Sequence, residues 1–342
     1  MNRHLALLIL IVLGQAISAL GQAFQLPTSN RALFEPGNEA DYFTPTVGRT
    51  WPSGTFGCVR SEGWQMHEGL DIKCIQRDSK GEPIDPITAA ADGTVVYINA
   101  KPALSNYGNY IVMQHKVDGL TVFTLYAHLR KIADMLKVGH FRKSGEIIAV
   151  MGRTANTKQG ISRERAHLHF EINFMANKNF TTWRKTNLPG TRNDHGIWNG
   201  QNLIGIDPWK VFLEQRNAKA RKNPFSLLEF VQSQPVLCKV KIGKTNLKWA
   251  NRFPQLVVKK SGTQPVGGYE IYLNSNGLPV KLTPINKGDL EENEVKLLEV
   301  FPDAYKAAPC KKLVFKKGQQ WTLTAKGKTH INLLMDLNKL YK

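Results

Sequence analysis

Four cysteines in 342 residues is a small number, and no two of them stand in a CxxC pair. A structural zinc site built from paired cysteines is therefore excluded, and any zinc here must take other ligands. No cysteine precedes Cys58, which also excludes a lipid attached to a cysteine beside an N-terminal leader. Beyond the first 23 residues no run is long and apolar enough to span a bilayer. Acidic residues are scarce as well, 27 Asp and Glu against 46 Lys and Arg, for a formal charge of +19. Internal repeats and low-complexity tracts are missing. Disorder is excluded in turn, because 42% of the residues are hydrophobic and only 21% charged, enough to bury a core over about two domains.

The opening "MNRHLALLILIVLGQAISALGQA" has a basic start, an apolar stretch from Leu5 to Leu13, and small residues at Gly21 and Ala23 before a cut. That is the pattern of a secretory signal over residues 1–23. A retained anchor is the alternative, but the apolar part is short and Gln15 interrupts it. Export puts the mature chain in the periplasm or outside the cell, where Cys58, Cys74, Cys238 and Cys310 can form two disulfides. Three connectivities are open, and spacing suggests Cys58 with Cys74 and Cys238 with Cys310. Fourteen of the nineteen excess positive charges fall between Gln215 and Lys342. Such a region suits anionic envelope polymers or lipid head groups, or is simply a solvated face; export disfavours nucleic acid, and none is expected as a partner.

Residues 24–54, rich in proline, asparagine and glycine, read as an extended lead-in. Over 55–214 short apolar runs such as "GTVVYINA", "NYIVMQHKV", "LTVFTLYAHL", "EIIAVMG" and "AHLHFEINF" alternate like strands, with no helix between them long enough for a crossover. The expected fold is mainly β, an antiparallel sheet with an open groove. The polar stretch "EQRNAKARKNP" marks a boundary, and 222–342 reads as a small, basic, β-rich C-terminal domain. There "CKVKIG", "PQLVVKK", "GGYEIYLN", "LPVKLT", "KKLVFKKG" and "QWTLTAKG" are expected strands, and "EENEVKLLEVF" an expected helix.

The chemistry gathers in three places. In "RAHLHFEINF", His167, His169 and Glu171 share one face of a strand while Leu168, Phe170, Ile172 and Phe174 share the other. In "MHEGLDIKC", His67 and Asp71 are four apart with Gly69 between them, and imidazole nitrogen with carboxylate oxygen is a zinc-binding combination. In "TLYAHL", alternation puts Thr124, Tyr126 and His128 on one face. Each element alone is commonplace, since an isolated HxH or HxxxD is more often a surface or core feature than a ligand set.

Together with "FGCVR", "AADGTVV", "YGNYIVMQH", "GEIIAVMGRT" and "IDPW", these segments stand in the order found in lysostaphin-type (LytM-like, beta-lytic) zinc metallopeptidases, the family of peptidoglycan endopeptidases that this sequence resembles from about Thr55 to Leu213. The resemblance implies one Zn²⁺ per chain, held by His67, Asp71 and His169, with His128 and His167 as unligated catalytic histidines around an activated water. All five positions are filled, unlike in the degenerate relatives that lose metal ligands and activate other hydrolases. Tyr126 and Glu171 are candidates for orienting the ligating imidazoles. The implied function is that of an exported enzyme cutting cross-bridges or stem peptides of peptidoglycan. Two alternatives remain: a non-catalytic envelope protein that binds wall peptides or regulates another hydrolase, and a secreted protease for glycine-rich proteins. Two departures from the family pattern stand out, insertions at "KCIQRDSKGEPIDPI" and over 173–205, the second expected to border the groove.

Overall fold

The computed structural model describes residues 23–260 and 262–337; all of the expected leader except Ala23 lies outside the described residues. In chain order the first strands are β1 (Gly57–Arg60), β2 (Gln65–His67), β3 (Leu70–Lys73), β4 (Pro86–Thr88), β5 (Gly93–Asn99) and β6 (Tyr110–Val117). There follow β7 (Leu120–Ala127), β8 (Lys131–Ile132), β9 (Phe141–Arg142), β10 (Ile147–Val150), β11 (His167–Met175) and β12 (Leu203–Ile206). The later chain adds β13 (Val236–Ile242), β14 (Val266–Asn274), β15 (Pro279–Asn286), β16 (Val295–Val300), β17 (Val314–Lys317) and β18 (Gln320–Leu323).

The central sheet runs β12-β11-β7-β6-β5-β9, and β3 also pairs with β11. Its pairings are antiparallel, as the mainly-β reading requires. The β6–β7 hairpin shows why: two alternating runs meet at Asp118 and Gly119, whose φ of 50° and 75° are those of a tight hairpin turn. On one face of β11, Leu168, Phe170, Ile172 and Phe174 are fully buried, and Phe170 stacks on Phe212 at 6.0 Å from the helix Pro208–Ala220. Burying each such side chain contributes about 1.5–3 kcal/mol, so this face anchors the strand. The lead-in is not merely extended. It holds a helical turn at Glu39–Tyr42, and its Phe24, Tyr42 and Phe43 are buried in the same core.

A second sheet, β15-β14-β13-β16, forms in the C-terminal region. Here the expected helix at "EENEVKLLEVF" is corrected to strand β16, since Leu297 pairs with Val240, Val295 with Ile242, and Lys239 Nζ meets Glu299 Oε2 at 2.6 Å. Valine at both ends and an available sheet edge outweigh local helix propensity. "PQLVVKK" is a single helical turn at Pro254–Leu256 instead of a strand. The stretch "EQRNAKARKNP" begins inside the helix Pro208–Ala220. Contacts tie the C-terminal region to the central sheet: Arg252 donates to the carbonyls of Met175 and Ala176, Asn276 to Gly205, and Trp183 Nε1 to Asn332 Oδ1. Among the described residues no helix is long and apolar enough to cross a membrane.

The cysteine pairing expected from spacing is also corrected. Cys58 bonds Cys310 across 252 residues, while Cys74 and Cys238 are free and buried. Cys74 turns inward to Asp85, which accepts from its thiol at 3.1 Å, and Cys238 points into the core of the second sheet. Nearness along the chain did not decide the partners, because β1 turns its cysteine toward the C-terminal region.

Candidate metal centre

Two antiparallel neighbours of β11 assemble the centre. Asp71 on β3 is directly opposite His169, and on the other side His169 is opposite Ala127 of β7. His67 closes β2, one short turn before β3. That turn needs glycine, because a Cβ on Gly69 would lie 2.3 Å from the carbonyl oxygen of Phe170. His67 Nε2, Asp71 Oδ1 and His169 Nδ1 then converge, with separations of 3.1, 3.1 and 3.0 Å. All three residues are buried, so the face expected to be an open groove is covered at its floor.

The tautomers follow from the outer bonds. His67 Nδ1–H donates to the Thr55 carbonyl at 2.7 Å, and His169 Nε2–H donates to Glu171 Oε1 at 2.8 Å. Each ring is thereby left with a lone pair aimed at the other and at a carboxylate oxygen. Three acceptors crowded together in a buried site require a positive charge between them. Without metal a proton takes that place: burial pushes the His169 imidazole down, but its bonds to Asp71 and Glu171 prevail and raise it to about 10. Two imidazole nitrogens and a carboxylate oxygen within 4.8 Å of one another form a donor set that fits Zn²⁺. Burial would raise the Asp71 carboxyl, yet the three histidines around it hold it well below the usual range. Its second oxygen accepts from Arg60 Nη2 at 2.5 Å.

His128 and His167 are adjacent, with ring centroids 4.9 Å apart. His167 Nδ1 donates to the carbonyl of Arg165 at 2.6 Å and His128 Nδ1 to that of Thr154 at 2.8 Å, so Nε2 is the unprotonated nitrogen of both; that of His167 lies 3.4 Å from Asp71 Oδ1. Burial first, then neighbouring histidines, push His128 well below its ordinary value; burial likewise lowers His167. Both are neutral at pH 7.

One expected neighbour is corrected. Tyr126 pairs with Phe170 on the core face, away from the histidines, and its hydroxyl accepts from the backbone N–H of Ala90 at 2.8 Å. Strand alternation placed Tyr126 and His128 together, but β7 ends at Ala127 and His128 has φ 60°, which swings its ring to the opposite face. Glu171 does sit behind His169. The tyrosine beside it is Tyr107, whose hydroxyl donates to Glu171 Oε1 at 2.7 Å; Asn173 Nδ2 donates to Oε2 at 2.7 Å. Tyr107 and Arg60 were not singled out from the sequence, although both lie in or beside the segments "YGNYIVMQH" and "FGCVR". The 173–205 insertion covers the far end of the histidine face: Ile197, Trp198 and Leu203 form a second small core with Tyr107 and Tyr110.

The chain matches Peptidase family M23 over residues 65–181. It is 38% identical over 136 residues to the murein hydrolase activator NlpD of Escherichia coli (strain K12), covering 38% of this chain and 29% of that protein. To the lipoprotein NlpD of Yersinia enterocolitica it is 34% identical over 97 residues, 28% of this chain and 86% of that one. The chain thus spans about 29% of the length of the first of these relatives. Among solved structures, the catalytic domain of the antimicrobial peptidase lysostaphin from Staphylococcus simulans is 25% identical, covering 39% of this chain and 75% of that domain, with a TM-score of 0.24.

Proposed function

We propose, from the premise that the chain belongs to peptidase family M23, that it is an exported zinc endopeptidase acting on the peptides of peptidoglycan. The observation that carries this is the convergence of His67, Asp71 and His169 beside two further neutral histidines whose Nε2 atoms are unprotonated. His67, Asp71 and His169 would hold Zn²⁺, which when bound supplies Lewis-acid polarisation of the scissile carbonyl.

The chain's own groups do the rest. Glu171 fixes His169 so that Nδ1 carries the lone pair, and Arg60 occupies the outer oxygen of Asp71. His128 and His167, each held by a bond from Nδ1–H to a carbonyl, accept a proton from the attacking water at Nε2 and return it to the leaving amine. Desolvation keeps them unprotonated at rest, as a proton acceptor must be. An envelope location, periplasmic or extracellular, is part of the proposal, supported by relatives described as lipoproteins, one of them the outer membrane antigenic lipoprotein B of Haemophilus influenzae.

A second reading has its own support, since relatives at 38% identity are described as murein hydrolase activators. Digestion of purified peptidoglycan by the chain alone, then with a chelator, then with zinc restored, separates the two. The peptidase reading expects new amine termini that vanish with the chelator and return with zinc. Release only when another wall hydrolase is added would replace it by the activator reading.

A further inference from the structure

The arginines near the centre are nearly all committed within the protein. Arg60 Nε donates to Ser53 O at 2.8 Å and its Nη2 to Asp71. On the loop beyond His128, Arg153 and Arg163 both pair with Glu82, and Arg130 with Asp78. Arg165 differs. Its side chain donates once, from Nε to the Pro45 carbonyl at 3.0 Å, and among the described residues neither terminal nitrogen has a hydrogen bond or an ion-pair partner.

This guanidinium is half-buried beside the histidine cluster, and its own backbone carbonyl holds His167 Nδ1 at 2.6 Å. It is close enough to Asp71 and Arg60 for both charges to act on it, while burial lowers its pKa. A partly desolvated guanidinium with two unused faces carries a cost that a bound anion relieves. Its planar fork matches a carboxylate, and its charge acts on His167, one of the two imidazoles that would face the scissile bond.

We propose that Arg165 docks a carboxylate of the bound peptide, so that the centre selects acid-bearing peptides over neutral ones. The inference rests on the peptidase reading and names its substrate class: peptides with a free carboxylate near the bond cut, as opposed to polyglycine. A charge-assisted pair of this kind is worth about ten- to hundredfold in kcat/KM.

The test uses the zinc-loaded full chain and fragments of purified peptidoglycan, either native or with their carboxylates converted to amides. Wild type should favour native fragments about ten- to hundredfold. Arg165→Gln should bring that ratio close to one through KM, with zinc content and melting temperature unchanged, and Arg165→Lys should fall between. Equal treatment of the two preparations by wild type, or equal loss on both in Arg165→Gln, would overturn the inference. Calorimetric binding to the zinc-loaded His128→Ala variant separates this from the parent reading. Arg165-dependent binding of native fragments that wild type never cuts would sink the peptidase reading and leave the anchor standing. Binding of neither preparation would overturn the anchor.

Discussion

Glu171→Gln tests the logic of the centre most directly. Glu171 is 1% exposed and accepts from His169 Nε2, Tyr107 Oη and Asn173 Nδ2 at 2.7–2.8 Å. Glutamine keeps the shape, but it removes the charge and sets an NH₂ group against donors. Loss of such an outer partner costs about ten- to hundredfold in metal affinity, or about 1.4–2.7 kcal/mol. A second effect has the opposite sign. In the metal-free wild type the His169 proton is held to about 10, so below that pH zinc must displace it and affinity climbs about tenfold per pH unit. In the variant His169 drops toward its ordinary value and proton competition weakens. Nearly the full loss should therefore appear at about pH 10.5, above the His169 value, and shrink toward pH 7. Competition against a chelator of known affinity at both values measures it. Unchanged zinc affinity at about pH 10.5 would refute the reasoning, and a loss independent of pH would refute the part concerning His169. Tyr107→Phe should give a smaller loss by removing one of the three bonds, and Tyr126→Phe none.

His169→Ala should lose zinc and activity together, whereas His128→Ala and His167→Ala should keep zinc and lose activity; equal zinc loss in all three would contradict the division between ligands and free histidines. Replacing Cys58 and Cys310 by serine removes a link across 252 residues, for which chain entropy predicts a loss of about 5 kcal/mol, read from denaturant midpoints. Peptide mapping without reduction should recover Cys58 joined to Cys310, and a Cys58–Cys74 peptide would count against the fold as described. Burial lowers His330 from 6.5 to about 4, against its bond to the Gly277 carbonyl at 2.7 Å. Its folded value lies below its unfolded one, so the stability it contributes is complete above about pH 6.5 and lost as pH falls toward 4. His330→Gln should reduce the gap between urea midpoints at pH 7 and pH 4.5 by the equivalent of about 2 kcal/mol, allowing for screening at its partly exposed edge; an unchanged gap would exclude this role.

Much of this protein is legible because strand geometry is local. Alternation alone divides "HLHFEINF" into a core set and a histidine set, and the structure keeps that division without exception from His167 to Phe174. The HxxxD and HxH spacings, with Gly69 between the first pair, identify the converging donors because each spacing is set by a turn or a pleat. What alternation cannot see is the end of a strand. His128 leaves β7 in a left-handed conformation, so the parity that groups it with Tyr126 fails within two residues, and Tyr107, arriving from another loop, takes the place behind Glu171. Cysteine partners, the cover that the 173–205 insertion lays over the far end of the histidine face, and the strand at Val295–Val300 were likewise decided by contacts between distant segments. The residues able to hold a metal were written in the order of the chain. Which groups hold those residues in place, and which arginine is left free to meet a substrate, depended on which surfaces the folded chain brought together.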